Sequence, residues 1–178
     1  MKGLRSIPRV LKINELEGDI ISLLFNNGYS LKIDLRAVLT QGKPVQQGSL
    51  VHQILESEEV FNSVAILGNS IGWPQIGRHV EDFDGNTVFY PYDIDPVVLY
   101  EAGTIDPEYH IDIGREIRDL RKQIGLTQSQ LASRVGTTKH YISKLENNKS
   151  DIELLTLKKI VEAGLGGRLR VEIELQDA

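Results

Sequence analysis

The chain has 178 residues, 40% of them apolar, no cysteine, and a formal net charge of −5. That length holds one or two domains with real cores, and the lack of thiols excludes disulfides, cysteine-ligated zinc fingers and a thiol nucleophile. The acidic balance argues against a surface coated with nucleic acid throughout, and no apolar run is long enough to span a membrane.

The start, MKGLRSIPRVLKINELEGD, lacks the apolar stretch of a secretory signal, so a cytoplasmic location is expected. Residues 20–25 and 29–35 are rich in Ile, Leu and aromatics and flank Asn26-Asn27-Gly28, which predicts a hairpin whose central residues take positive φ. Asp34-Leu35-Arg36 leads into a short apolar piece ending near Leu39, and residues 41–48, with two glycines and a proline, read as a loop. Residues 51–61 carry apolar side chains at helical spacing. Residues 64–67 and 70–73 read as strands around Gly68-Asn69, the second ended by Trp73-Pro74. Residues 87–90 form another short strand after the turn Asp84-Gly85-Asn86, and Asp95-Pro96 opens a short helix to Tyr100. Gly, Pro and acids in residues 101–112 place a linker near 104–107, dividing the chain into domains 1–105 and 106–178.

Charge follows this division. Residues 1–110 hold 8 Lys and Arg against 15 Asp and Glu, residues 111–178 hold 12 against 10, and residues 112–150 hold 8 against 4.

In the second domain Ile113, Ile117, Leu120 and Ile124 recur on one face of a helix, capped by Asp112 and stopped by Gly125. Thr127 caps a second helix over residues 128–135, in which the small Ala132 lets another helix cross closely. Gly136 permits the sharp turn into a third helix over residues 139–146, capped by Thr137 or Thr138, with Ile142 and Leu145 inward. Residues 152–161 supply a closing helix. Two short helices joined by a tight glycine turn constitute a helix-turn-helix.

Residues 113–163 resemble the Cro/CI repressor-like family, carried by Arg121, Gly125-Leu126-Thr127-Gln128, Leu131-Ala132, Val135-Gly136-Thr137-Thr138, Ile142 to Asn147, and Leu157. The resemblance implies that the third helix lies in a DNA major groove, with Lys139, His140, Ser143 and Lys144 facing base edges. It implies a phosphate contact for Gln128, backbone positioning by Thr137, Thr138 and Asn147, and a structural ion pair between Arg121 and Glu146. A Lys/His/Lys face is also what a merely solvated helix shows. Here the inward positions are already taken by Ala132, Ile142 and Leu145, which leaves that face for a partner.

After three glycines in four residues comes RLRVEIEL, in which Leu169, Val171, Ile173 and Leu175 alternate with Arg168, Arg170, Glu172 and Glu174. This predicts a strand with one apolar face, and a strand needs a partner. Paired antiparallel with a second copy about Val171, it sets Arg168 against Glu174 and Arg170 against Glu172, predicting a homodimer suited to a palindromic operator. The alternative is docking on the sheet of its own chain.

Residues 9–102 resemble the DUF2442 family of small α+β domains, carried by Phe25 to Gly28, Ile33 to Arg36, Leu39, Phe61, Ile71-Gly72-Trp73-Pro74 and Asp95 to Tyr100. Residues 75–93 stand outside that pattern and read as an added hairpin. The resemblance implies at most a binding role, for a ligand or a small toxin-like protein. The overall class expected is thus α+β: a small domain with antiparallel strands, then a helical domain with a terminal strand. No enzyme and no cofactor is expected. Gly68-Asn69-Ser70-Ile71-Gly72 fits the spacing of a nucleophile elbow, but proline follows where that elbow needs a helix. Residues 81–86 lack the later Glu of a calcium loop, and His52, His79 and His110 lack ligand spacing.

Overall fold

A computed structural model describes residues 7–173. The chain forms two compact units, Met1–His110 and Ile111–Ala178, and is of mixed α+β class.

The first unit holds strands β1 (Val10–Glu17), β2 (Ile20–Phe25), β3 (Ser30–Asp34), β4 (Ala65–Leu67), β5 (Ser70–Glu81), β6 (Thr87–Ile94) and β7 (Thr104–Ile105). Helices α1 (Leu35–Thr40), α2 (Leu50–Leu55), α3 (Glu58–Asn62) and α4 (Pro96–Ala102) lie between them. Two antiparallel sheets result, ordered β1-β2-β3-β7 and β4-β5-β6. Their shared core contains Ile21, Leu23, Phe25, Ile33, Leu35, Ile54, Ile71, Trp73 and Leu99. Trp73 is fully buried, and its indole N–H donates to the Phe61 carbonyl at 3.1 Å.

Several expectations need correction. The β2–β3 turn has positive φ only at Gly28 (80°), with Asn27 on the ordinary side. Gly28 N–H bonds the Phe25 carbonyl, and Phe25 N–H bonds that of Tyr29, both at 2.9 Å. The result is a three-residue loop with a glycine bulge instead of a two-residue turn. The helical run at 51–61 is broken in two because the Ser57 hydroxyl caps α3. Trp73-Pro74 does not end a strand. β5 continues to Glu81, with register shifting between Trp73 and Gly77. Proline cannot donate to a ladder, so it sits in this bulge. Beyond it, β5 and β6 form the long hairpin where an added one was expected. Strand β1 was not foreseen. Nor was β7, which pairs with β3 where a linker was expected. The unit accordingly ends at His110, a few residues past the boundary drawn at 105.

The second unit consists of α5 (Ile113–Gln123), α6 (Gln128–Arg134), α7 (Lys139–Glu146) and α8 (Leu154–Lys159), the last continued by a π-type turn over Ile160–Gly164. Ile117, Leu131, Ala132, Val135, Ile142, Leu145, Leu157 and Ile160 fill its core. The buried face of α5 is rotated from the expected one. Gly114, Ile117 and Arg121 face inward, while Leu120 and Ile124 stay 42% and 45% exposed. Gly114 explains the rotation: a Cβ there would lie 2.3 Å from the Leu145 carbonyl, so only glycine lets α5 approach α7 this closely.

Residues 167–173 carry no strand assignment, and among the described residues neither sheet includes them. Among the described residues the terminal strand expected there is therefore not formed, and no ladder partner faces it. Leu169 packs on the core, but Val171 and Ile173 are 61% and 89% exposed. Glu174, part of the expected pairing, lies outside the described residues.

Candidate nucleic-acid interface

Local chemistry sets α6 and α7 in place. The Thr127 hydroxyl accepts from Gln130 N–H at 3.2 Å, and the Gln130 side chain accepts from Thr127 N–H at 2.8 Å, a reciprocal capping box. Gly136 follows in the left-handed region (φ 64°), which turns the chain without a Cβ clash. Thr137 N–H then bonds the Ala132 carbonyl at 2.9 Å, closing the turn. The Thr138 hydroxyl accepts from Tyr141 N–H at 3.1 Å and starts α7. Substitution Thr127→Ala removes one half of the box. It is expected to cost about 1 kcal/mol, read as a lower unfolding midpoint of this unit alone.

The inward side of α7 is fixed by packing and charge. Ile142 and Leu145 are buried in the core, with Tyr141 half-buried against it. Glu146 is 2% exposed and Arg121 8%. They form a two-pronged pair, Nε to Oε1 at 2.6 Å and Nη2 to Oε2 at 3.0 Å. Arg121 also donates to the Leu126 carbonyl at 2.5 Å, which ties α5 to the start of the helix-turn-helix. Burial pushes the Glu146 carboxyl up. The hydrogen bonds from Arg121 and Gln128 and the nearby guanidinium charges outweigh it and hold the carboxyl below the ordinary value. The same bond, working against desolvation, raises Arg121.

Gln128 belongs to this cluster as well. Its amide donates to Glu146 Oε2 at 2.9 Å, so its side chain is drawn toward the ion pair. Sequence spacing does not reveal this, because the partner lies a helix away.

Helical spacing sets Lys139, Ser143, Asn147, His140 and Lys144 on one contiguous arc of about 140°. Lys139, His140, Lys144 and Asn147 are exposed and Ser143 half-buried. Asn147 Nδ2 donates to the Ser143 carbonyl at 2.7 Å and finishes the helix. Thr137 is half-buried beside the arc, and Thr138 is occupied as the cap. Lys149, to which no helical spacing points, is exposed just beyond, its N–H bonded to the Lys144 carbonyl at 2.8 Å. Its position near the arc follows from the left-handed Asn148 (φ 53°), a bend no periodicity signals.

The other sequence candidates fall away from any site. The Ser70 hydroxyl is buried and donates to the Ile94 carbonyl at the start of a strand, the wrong setting for a nucleophile. Asp82 accepts from Asn86 and Asp84 N–H groups and closes the hairpin turn. Hydrogen bonds, first from the Asn86 backbone, hold its carboxyl below the usual range. Among the described residues no His, Asp and Glu group has metal-site geometry, and no helix is long and apolar enough to cross a membrane.

Residues 117–163 match the helix-turn-helix family. Similar solved structures include the restriction-modification controller protein C.Esp1396I, at 28% identity over 32% of this chain and 72% of that one, TM-score 0.30. The controller protein C.AhdI from Aeromonas hydrophila is 26% identical over 33% of this chain and 86% of its own, TM-score 0.31. Protein NE0471 from Nitrosomonas europaea covers 86% of this chain and 84% of its own at 15% identity, TM-score 0.34. Curated proteins give no match. The carboxyl-terminal unit carries a helix-turn-helix domain of the kind transcriptional regulators use to bind DNA.

Proposed function

We propose that this chain is a sequence-specific transcriptional regulator that binds a palindromic DNA operator as a homodimer and represses by occupying it. The observation that carries the reading is the α7 arc. Its inward side is consumed by Ile142, Leu145 and the Glu146 pair, while two lysines, a histidine, a serine and an asparagine face out. Such a helix fits the major groove. Lys139 or Lys144 donates to guanine O6 and N7, His140 donates or accepts, and Ser143 reads either edge. Thr137 and Lys149 hold the phosphates that set the register. The first unit, net acidic, stays off the DNA and serves as the sensing part, for a ligand or a protein. Selection of bound fragments from random duplexes tests this: a palindrome is expected, and the absence of any enriched sequence would contradict it.

The dimer rests on residues 168–174. Arg168, Arg170, Glu172 and Glu174 are self-complementary in antiparallel pairing, and Val171 and Ile173 stand exposed. Truncation after Gly167 is expected to turn a dimer into a monomer in sedimentation analysis. A truncated chain that stays dimeric would rule out the strand.

A second reading is an antitoxin: the same DNA-binding half, with the amino-terminal unit neutralising a co-expressed toxin. The DUF2442 resemblance favours it. Co-purification with a small basic partner would select it over the ligand sensor.

A further inference from the structure

The segment that leads out of the first unit, residues 106–110, lies against strands β2 and β3 through polar contacts and a ring stack of His110 on Tyr29. None of its residues enters the core, Pro107 is exposed, and the next residue, Ile111, is 78% exposed. Its polar attachment centres on one side chain. Asp106 is fully buried. Its Oδ2 accepts from the Ser22 hydroxyl at 2.5 Å and its Oδ1 from Glu108 N–H at 3.0 Å. Its own N–H bonds the Ser30 carbonyl at 3.0 Å. Asn14 Nδ2 reaches Ser22 Oγ at 3.2 Å and Ser30 Oγ at 3.1 Å, which orients the hydroxyl. Lys32 Nζ stands 3.9 Å from the carboxylate and is more than a third exposed, so it compensates the charge only partly. At the far end His110 stacks on Tyr29, centroids 5.3 Å apart and planes 11° off parallel, with its buried Nδ1 unpartnered.

We propose that residues 106–110 form a releasable strap, latched by the Asp106 carboxylate in the cradle of Ser22, Asn14, Ser30 and Lys32, and that the latch sets the free tether ahead of the helix-turn-helix unit. Latched, only Ile111 and the cap Asp112 precede α5. Released, the tether begins near Asp106 and can extend by about 3.3–3.6 Å for each freed residue. A segment held by one polar cluster and one ring stack opens at lower free energy than a core with many apolar contacts, so the strap can open while both sheets persist. A buried carboxylate with partial charge compensation is also a contact that a competing ligand for the cradle can exchange. This inference is independent of what α7 binds.

Hydrogen exchange on the full chain tests it, using Ser22→Ala and, separately, Asp106→Asn. Ser22→Ala leaves the Asp106 and Glu108 N–H partners in place, so a purely local role predicts unchanged exchange there. The latch predicts that both amides exchange about a hundred-fold faster in each variant. Cleavage by chymotrypsin after Tyr109 should rise in parallel, while the β2–β3 ladder amides of Leu23, Leu31 and Ile33 keep wild-type rates. Unchanged exchange at 106 and 108 would overturn the proposal. So would acceleration shared by the β2–β3 ladder, because the cluster would then be part of the global fold.

Discussion

Replacing Glu146 with alanine is expected to unfold the helix-turn-helix unit under conditions where the first unit remains folded. The substitution leaves the Arg121 guanidinium, 8% exposed, without its two-pronged partner. Removing one member of a buried pair costs about 3–5 kcal/mol, because the surviving charge stays desolvated and uncompensated. Gln128 loses its acceptor at the same time. Total stabilities of domains are about 5–15 kcal/mol, so the loss consumes much of what holds this unit together. Calorimetry should show one transition moving down sharply while the other stays put. A carboxyl unit with an unmoved midpoint would contradict the role assigned to the pair. Acid provides an independent check. Glu146 lies below its ordinary value when folded. Its contribution is therefore complete above the unfolded carboxyl value of about 4.3 and disappears as pH falls through the lower folded value. The unit should lose stability on acidification below about pH 4 more steeply than a Glu146→Gln variant, which has no proton to gain there.

Lys139→Ala and Lys144→Ala are each expected to weaken binding to a selected operator by about 1–3 kcal/mol if the side chain reads a base. If it contacts a phosphate instead, affinity should fall for all sequences and the salt dependence should flatten by about one counterion. Anisotropy titrations at several salt concentrations separate these outcomes. Both side chains are exposed and leave the core untouched, so neither variant should shift the unfolding midpoint. Unchanged affinity and slope in both variants would mean that the arc on α7 is only a solvated surface.

The helical unit was legible because its signals are local. Thr127 and Thr138 cap, Gly136 turns, and Ala132, Ile142 and Leu145 face inward, all within a few residues of one another. What the sequence concealed there was tertiary. The face of α5 turned toward Gly114 and Arg121, since a close helix crossing and a buried ion pair outweigh the burial of Leu120 and Ile124. Gln128 turned inward for the same ion pair. In the first unit β1 is not legible in the sequence because VLKINELE mixes charges with only partial alternation, and half its side chains remain wet. Pro74 suggested an end where a bulge accommodates it. Residues 104–107 carried the composition of a linker, yet Thr104 and Ile105 complete a sheet edge and Asp106 is buried and bonded to a serine 84 positions away in sequence. No local pattern reports such a contact. The terminal strand is the converse case: its alternation is clear, but a ladder takes two strands.

Sequence-specific repression of the proposed kind requires α7 to lie in the major groove. Methylation interference on a selected operator tests it most directly, because a methyl on guanine N7 projects into that groove. Premethylated guanines are expected to block binding in two clusters separated by about one helical turn, near 34 Å, with minor-groove adenine methylation neutral. Interference confined to adenine N3, or none at any position, would contradict the placement of Lys139, His140, Ser143 and Lys144 against base edges.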